Sequence, residues 1–173
     1  CQIVTAEQAT KTLIWKLTDM LTEENISQGL GVLGMPGSTA YGGLLDVLRP
    51  EKDQTKTPET IWVSGSAGAV GSMVTQIAKN VCGCTVIGSC GGPEKVALCI
   101  EKFGLDGAID YKKCPDREAL TAALKEQAPN GIDMYFDNVG GMHFETAMES
   151  LRPQGRAAIC GGISHYNEGE RQA

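Results

Sequence analysis

The sequence predicts an α/β protein built on a parallel sheet with helices on both faces. From residue 60 onward, short apolar runs alternate with helical stripes in the order βαβαβαβαβ. Helical crossovers of this kind are the usual way to join parallel neighbouring strands. The length of 173 residues fits one domain of this class.

Strands are predicted where four or five residues form an apolar run rich in β-forming side chains. These runs are Thr60–Ser64, Thr85–Gly88, Gly107–Tyr111, Ile132–Phe136 and Ala157–Cys160. Helices are predicted where apolar residues recur three and four positions apart. These stripes are Val70–Val81, Val96–Phe103, Asp116–Gln127 and Phe144–Leu151.

The first 59 residues have a less regular pattern. Ile14–Leu17 is compatible with a strand, and Leu21–Gly34 mixes helical spacing with glycines. A short helix is predicted from Ser38, because Tyr41, Leu44, Leu45 and Leu48 form an apolar stripe. A polar connector with two prolines, residues 49–59, leads into the regular part.

Composition and charge exclude several classes of protein. Lys and Arg number 15 against 21 Asp and Glu, a net charge of −6, so a generally basic, nucleic-acid-binding surface is not expected. No apolar stretch approaches the roughly 20 residues of a membrane span, and no signal peptide is visible. The chain is therefore expected to act in the cytoplasm, without nucleic acid or membrane as a partner.

The seven cysteines do not indicate a metal site. They include no paired CxxC motif, and the nearest pair, Cys82 and Cys84, has no histidine at zinc-ligand spacing. Reduced cysteines used as small apolar side chains are expected instead. His143 and His165 have no Asp or Glu at catalytic spacing, and Ser64 and Ser66 do not form a G-x-S-x-G elbow.

Glycine is in excess, and its positions are informative. There are 22 glycines, and ten fall at or just after the end of a predicted strand: Gly65, Gly68, Gly71, Gly88, Gly91, Gly92, Gly140, Gly141, Gly161 and Gly162. In a doubly wound sheet, ligands bind beyond the carboxyl ends of the strands. The glycines therefore cluster where a ligand is expected.

The first strand-to-helix turn favours a dinucleotide. Gly68 and Gly71 occupy the second and third glycine positions of G-x-G-x-x-G, with Ser66 at the first. A helix that starts near Ala69 would direct free N–H groups at a pyrophosphate. The alternative is that these glycines serve close packing only.

The second strand end favours NADP over NAD. Residues 88–93 contain no acid to hold ribose hydroxyls, which also argues against a methyltransferase. Lys95 can neutralise a 2′-phosphate, and Ser89 can add a hydrogen bond. The alternative is that Lys95 is only a solvated residue of the helix's first turn. Two further clusters, 136–141 and 160–167, place Asn138 and Tyr166 at the same edge.

Four motifs occur in the order of a known family: Gly34–Tyr41, Val63–Ser72, Phe136–Gly141 and Cys160–Asn167. Together they resemble the zinc-independent medium-chain reductases, which include prostaglandin reductases, leukotriene B4 12-hydroxydehydrogenase and plant or bacterial alkenal and curcumin reductases. The resemblance implies a Rossmann-type fold and NADPH-dependent reduction of the C=C bond of α,β-unsaturated ketones and aldehydes. It implies no metal.

The resemblance also implies residue roles. Residues Ala69 to Ser72 would hold the pyrophosphate, Lys95 the 2′-phosphate, and Tyr166 would border the substrate. The full set of implied cofactor contacts is Gly68, Ala69, Val70, Gly71, Ser72, Lys95, Tyr111, Asn138, Cys160, Gly161, Gly162, Ile163, Ser164 and Tyr166. Met35 and Tyr41 would lie near the active site.

Family members are about twice this length, which implies a two-domain enzyme. The chain is therefore expected to be a truncated Rossmann-type sheet that lacks a GroES-like catalytic domain and a last strand. Residues 1–50 are expected to be an interdomain segment, and residues 51–173 the NADP-binding domain. A homodimer and a small enone or enal substrate are expected. The alternative function is a catalytically silent NADPH-binding protein of the same superfamily.

Overall fold

The computed structural model describes residues 21–51 and 58–166, so the possible strand at Ile14–Leu17 and residue Asn167 lie outside the described residues. Within them, five parallel strands form one sheet in the order β3-β2-β1-β4-β5. The strands are β1 Thr60–Ser64, β2 Thr85–Cys90, β3 Gly107–Asp110, β4 Ile132–Asp137 and β5 Leu151–Ile159.

Five helices connect or precede these strands. They are α1 Met35–Tyr41, which continues as π-helix over Gly42–Leu48, α2 Ala69–Asn80, α3 Pro93–Glu101, α4 Arg117–Gln127 and α5 Met142–Ser150. Short 3₁₀ turns occur at Ile26–Leu30, Tyr111–Lys113 and Ile163–His165. In the described ranges, none of the helices is long and apolar enough to cross a lipid bilayer.

The strand order confirms the predicted doubly wound sheet. The chain runs outward from β1 through β2 to β3, then returns to β4 beside β1 and continues to β5. The order therefore reverses between β1 and β4, and such a switch point opens a crevice at the carboxyl edge of the sheet.

Each face of the sheet carries its own apolar core. On one face, Val63 and Phe136 pack with Leu44 of the α1 extension and Val74 of α2. On the other face, Trp62 and Tyr135 pack with Leu120 of α4 and Ala147 of α5. All five residues of β1 are buried, as expected for a central strand covered on both sides.

The α1 segment is packed directly on the sheet. A methyl group at Gly43 would lie 2.6 Å from a ring carbon of Phe136, so only glycine lets the segment approach β4 this closely. The Arg156 guanidinium of β5 donates to the Leu48 carbonyl at 2.6 Å and to the Glu59 carboxylate at 2.7 Å. Residues 35–48 thus share the core of the sheet, and the domain boundary at residue 50 stays a prediction.

The sequence placed the start of β5 wrongly, at Ala157 instead of Leu151. Residues 151–156 contain Pro153 and Gly155 and have no apolar run, and Gln154 has a positive φ of 67°. The pairing of β4 and β5 shifts register at this point. A strand interrupted by a bulge loses the alternation that would identify it.

Two helices begin three residues before their predicted starts at Ser38 and Val96. α1 begins at Met35 and α3 at Pro93, each with a proline in its first two positions. Proline suits the first helical turn because its missing N–H would have no partner there. None of the residues added at these starts, 35–37 and 93–95, is buried, so they do not contribute to an apolar stripe and periodicity does not detect them.

Candidate functional site

The candidate site is the carboxyl edge of the sheet, where the first residues after β1, β2, β4 and β5 meet. Its first part is the turn between β1 and α2, residues 65–68. Gly65 has a φ of +63°, which favours glycine. A methyl group at Gly71 would collide with the Gly65 carbonyl and lie 2.9 Å from Ser66 Cα. Glycine at this position lets helix α2 pack against the turn.

Serine replaces the first glycine of the dinucleotide motif, and the structure accommodates it by burial. The Ser66 hydroxyl donates to the Ser89 carbonyl at 3.2 Å and lies 3.4 Å from Cys99 Sγ. A methyl group at Gly88 would lie 2.5 Å from Ser66 Oγ. The glycine in β2 therefore supplies the space that the serine in the turn occupies.

The N-terminus of α2 offers free donors. The first N–H groups of any helix have no intrahelical acceptor; here they are those of Ala69, Val70 and Gly71. No side chain caps this helix in their place. The Ser72 N–H donates to the Gly68 carbonyl at 2.9 Å. Of the four N–H groups predicted to bind a pyrophosphate, those of Ala69, Val70 and Gly71 are thus available. The fourth, that of Ser72, already donates within the helix.

The loop after β2 is held by an aspartate from β3. Asp110 Oδ1 accepts from the N–H of Gly92 at 2.8 Å and from that of Lys112 at 3.2 Å. The Tyr111 hydroxyl reaches the same loop, because a methyl group at Gly91 would lie 2.9 Å from it. The loop is therefore fixed where the sequence predicts the 2′-phosphate.

Lys95 and Ser89 have different environments in this loop region. Lys95 lies exposed in the first turn of α3 and pairs with no acid among the described residues. Ser89 is fully buried, and its hydroxyl has no partner in the described ranges. The hydrogen bond from Ser89 to a phosphate stays a prediction, because the structure shows only that this hydroxyl is buried and unpartnered among the described residues.

The second part of the site is formed by the loops after β4 and β5. Asp137, at the end of β4, is 1% exposed. Its Oδ1 accepts from the Tyr135 hydroxyl at 2.7 Å, Ser64 Oγ at 3.1 Å, and the N–H groups of Val139 at 3.0 Å and Gly140 at 2.8 Å. One carboxylate oxygen thus fixes the loop. The sequence analysis missed Asp137; the available signal was an acid at the end of an apolar strand.

Asn138 joins this loop to β1 across the switch point. Its backbone N–H donates to Ser64 Oγ at 2.9 Å, and its side-chain amide donates to the Ser64 carbonyl at 2.7 Å. The side chain therefore has a structural contact, and its implied contact with a cofactor stays a prediction.

The loop after β5 runs along the loop after β4. The N–H groups of Cys160 and Gly161 donate to the Asp137 carbonyl at 2.9 and 3.0 Å. Ser164 donates to the Val139 carbonyl through its N–H at 3.1 Å and its hydroxyl at 2.6 Å. The two clusters that the sequence analysis identified separately thus lie together.

These loops enclose a cavity of about 450 Å³. It is lined by Asp137, Gly140, Gly141, Phe144, Ile159, Cys160, Gly161, Gly162 and Tyr166. Tyr166 is 63% exposed, and a methyl group at Gly161 would lie 3.3 Å from its hydroxyl. Tyr166 therefore reaches the cavity from its open side.

Burial shifts the pKa of groups beneath this loop pair. Burial and the charge of Asp137 raise the pKa of Tyr135, so its hydroxyl stays protonated and donates. Burial lowers the pKa of His143 to about 4, against a smaller opposing effect of Asp137. The neutral His143 ring stacks on Trp62 at 5.8 Å and meets the edge of Tyr111 at 5.4 Å. These groups form an uncharged floor under the site.

Met35 and Tyr41, which the sequence analysis expects near an active site, are both exposed. Met35 is 80% and Tyr41 is 59% exposed. Tyr41 lines a second cavity, of about 600 Å³, between the α1 segment and α2. Over residues 21–51 and 58–166, no cluster of three His, Cys, Asp or Glu residues is arranged to hold a metal ion.

Comparison with known proteins places these features in a family. The model of the zinc-binding dehydrogenase family matches residues 69–171. A 2-alkenal reductase (NADP(+)-dependent) from Nicotiana tabacum is 48% identical over 142 residues, which cover 82% of this chain and 39% of that protein. Prostaglandin reductase 1 from Bos taurus is 51% identical over 142 residues, which cover 82% of this chain and 40% of that protein.

A solved structure shows the same fold. CurA from Vibrio vulnificus, in complex with NADPH, superimposes with a TM-score of 0.75 at 42% sequence identity, covering 88% of this chain and 43% of that one. The chain thus spans about two fifths of the length of the curated relatives it matches.

Proposed function

We propose that this chain, which belongs to the zinc-binding dehydrogenase family, is the NADPH-binding domain of a reductase. The reductase would act on the C=C bond of α,β-unsaturated ketones and aldehydes. Residues 51–173 would form that domain, and residues 1–50 would lead into it. The observation that carries the proposal is the uncapped helix N-terminus after the glycine turn, beside a second strand end (residues 88–93) that has no acid and is followed by Lys95.

The residues present fit NADPH. The N-terminus of α2 supplies the free N–H groups of Ala69, Val70 and Gly71, which suit a pyrophosphate. In the residues after β2, 91–95, the only acid is Glu94, one position before Lys95 in the first turn of α3. A lysine with no acidic partner in the described structure suits a 2′-phosphate. The NADPH complex of CurA and the NADP(+)-dependent name of the tobacco relative support this choice.

NADPH, when bound, supplies a hydride for the β-carbon of the enone. This chain's part is to hold the cofactor and to shape one wall of the substrate space. The paired loops after β4 and β5 keep that wall in place through the Asp137 carbonyl and carboxylate. Cys160 and Tyr166 present side chains to the cavity, where Tyr166 would border the substrate.

The names of the relatives support the substrate class. The tobacco protein is named for alkenals, and the bovine protein for prostaglandins. We expect a small enone or enal substrate for the complete enzyme. A cytoplasmic location and a homodimer belong to the same proposal.

The test is an assay of a longer protein that carries this chain together with a catalytic domain. NADPH and a series of simple enones and enals would be mixed with it, and nicotinamide absorbance followed. NADPH oxidation that depends on the enone supports the proposal. NADPH binding without oxidation by any substrate would favour a catalytically silent NADPH-binding protein instead.

A further inference from the structure

Two cysteines and a serine meet beneath the loop that follows β2. Cys90 is the last residue of β2 and Cys99 lies on α3, and both belong to the same apolar core. Their thiols hydrogen-bond to each other, and the Ser66 hydroxyl contacts both, at 3.4 Å from Cys99 Sγ. Neither cysteine is in a disulfide. The proposed function assigns no role to either thiol.

The mutual contact gives the two thiols different chemistry. The hydrogen bond from the Cys90 thiol, with a smaller contribution from Ser66, lowers the pKa of Cys99 against the opposing effect of burial. The same bond and burial raise the pKa of Cys90. A thiolate beside a protonated thiol is suited to disulfide formation, because the thiolate is the nucleophile. At Cys84, in the same core, burial has the largest effect and raises the pKa to about 12.

The pair lies next to the proposed 2′-phosphate site. Cys90 is followed by Gly91 and Gly92, which are half-buried and have no side chains to cover it. Lys95 precedes Cys99 by about one turn of α3. A disulfide would therefore close residues 91–98, including Lys95, into a loop tied to β2. Cys99 is fully buried and Cys90 is 2% exposed, so only a small oxidant suits the pair.

We propose that Cys90 and Cys99 form a redox-active pair, which hydrogen peroxide converts into a disulfide that weakens the binding of a 2′-phosphate at Lys95. The Cys99 thiolate attacks one peroxide oxygen, so that an S–O bond forms, the O–O bond breaks and hydroxide leaves, which gives a sulfenic acid. The Cys90 sulfur then attacks the Cys99 sulfur, the S–S bond forms and the S–O bond breaks, and the oxygen leaves as water with the Cys90 proton. With the proton that Cys99 first gave up, the hydroxide becomes a second water. The two cysteines have lost two electrons, and the peroxide has gained them.

The disulfide would act on the phosphate site through α3. Its sulfur atoms are bonded at about 2.0 Å, closer than the contact of two hydrogen-bonded thiols, so α3 must shift toward the end of β2. Lys95 moves with the helix. The loop cannot follow freely, because the Gly92 N–H is held by Asp110 of β3 at 2.8 Å. This consequence, unlike the formation of the disulfide, rests on the proposed function.

The first test maps the disulfide in the folded chain. The unaltered chain is treated with hydrogen peroxide, alkylated, and digested with trypsin, which cleaves after lysine and so separates residues 80–95 from residues 96–102. We expect these two peptides to be linked, lighter by two hydrogen atoms than their sum, and to be separated by dithiothreitol. Fragmentation should place the link at Cys90. Cys99→Ala should give no linked peptide, whereas Cys84→Ala, a matched control from the same core, should give it in full.

The second test measures the affinity of the chain for 2′,5′-ADP, a probe that carries the 2′-phosphate, before and after treatment with peroxide. We expect oxidation to raise the dissociation constant about threefold, because the lysine is displaced but still present. Dithiothreitol should restore the original value. Peroxide should leave the affinity of Cys99→Ala unchanged, since that variant cannot form the bond.

Three results would overturn the inference, and they can be told apart. If the two peptides of the unaltered chain stay unlinked, or become linked only in urea, the buried thiols are not a redox pair, whether or not a variant folds. If they are linked but the affinity for 2′,5′-ADP is unchanged, or changes equally in Cys99→Ala, the disulfide does not act on the phosphate site. If the reduced chain does not bind 2′,5′-ADP, the proposed function fails together with the effect on the phosphate, while the linked peptides still decide on the disulfide.

Discussion

The two halves of the sheet edge are built by opposite means. The turn between β1 and α2 owes its shape to missing side chains, because methyl groups at Gly71 and Gly88 would meet backbone or buried side-chain atoms. The loops after β4 and β5 owe theirs to side chains, with four donors converging on the carboxylate of Asp137. The first half should therefore fail by crowding, and the second by loss of hydrogen bonds or by protonation.

An added side chain in the first half should give the largest loss of stability. Gly71→Ala should lower the free energy of unfolding by about 3 kcal/mol, because its methyl group meets the backbone of Gly65 and Ser66, which cannot move aside cheaply. Gly104→Ala is the matched control: its φ of +71° is unfavourable for alanine, but nothing lies within 4 Å. It should lose about 1 kcal/mol. Urea unfolding measures both, and equal losses would refute the packing argument.

Lowering the pH should destabilise the second half through protonation of His143, which lies beneath its loops. The pKa of His143 is about 4 when folded, against an ordinary value of 6.5, so below pH 6.5 the unfolded chain takes up a proton that the folded chain refuses. Stability is then lost as pH falls from 6.5 toward 4. Between pH 7 and pH 4.5 the loss attributable to His143, which is 2% exposed, should be about 2 kcal/mol.

His143→Phe keeps a ring against Trp62 and removes the titration. Urea unfolding at the two pH values should show a smaller acid-induced loss in this variant than in the unaltered chain. If the two proteins lose the same stability, His143 does not account for the acid sensitivity.

Loss of a hydrogen bond in the second half should have a smaller effect. Ser64→Ala removes the hydroxyl that accepts from the Asn138 N–H and donates to Asp137. Removing this partner from the buried Asp137 carboxylate and the part-buried Asn138 N–H should lower the free energy of unfolding by about 1.5 kcal/mol. Ser72→Ala, at an exposed hydroxyl of α2, should change stability by less than about 0.5 kcal/mol. Thermal unfolding measures the stability of both variants. If Ser64→Ala loses no more stability than Ser72→Ala, the hydrogen-bond network does not stabilise this half.

The same contrast explains what the sequence could predict. Periodicity placed all five strands and set the bounds of β1 at Thr60–Ser64, since apolar runs carry that information. It misplaced the start of β5, where Pro153 and Gly155 interrupt the run. Fold class and strand alternation were thus predictable, whereas a bulged edge was not.

Within the site, the glycine turn can be recognised from the sequence, whereas the hydrogen-bond network cannot. Gly68 and Gly71 stand at motif positions, so the turn was identified before its geometry was known. The burial of Asp137 and Ser89 depends on which way each side chain points from its strand, and on the helices that cover it. Short polar motifs at strand ends do not carry that information.

The central claim is that this sheet edge binds NADPH through phosphate contacts at α2 and Lys95. Its most direct test is the affinity of the chain for NADPH and NADH, in the unaltered form, in Lys95→Ala, and in Lys102→Ala as a control at the far end of α3. We expect the unaltered chain and Lys102→Ala to prefer NADPH by about tenfold or more. Lys95→Ala should lose that preference while its affinity for NADH is unchanged. A preference for NADPH that survives in Lys95→Ala, or an unaltered chain that binds neither nucleotide, would contradict the account.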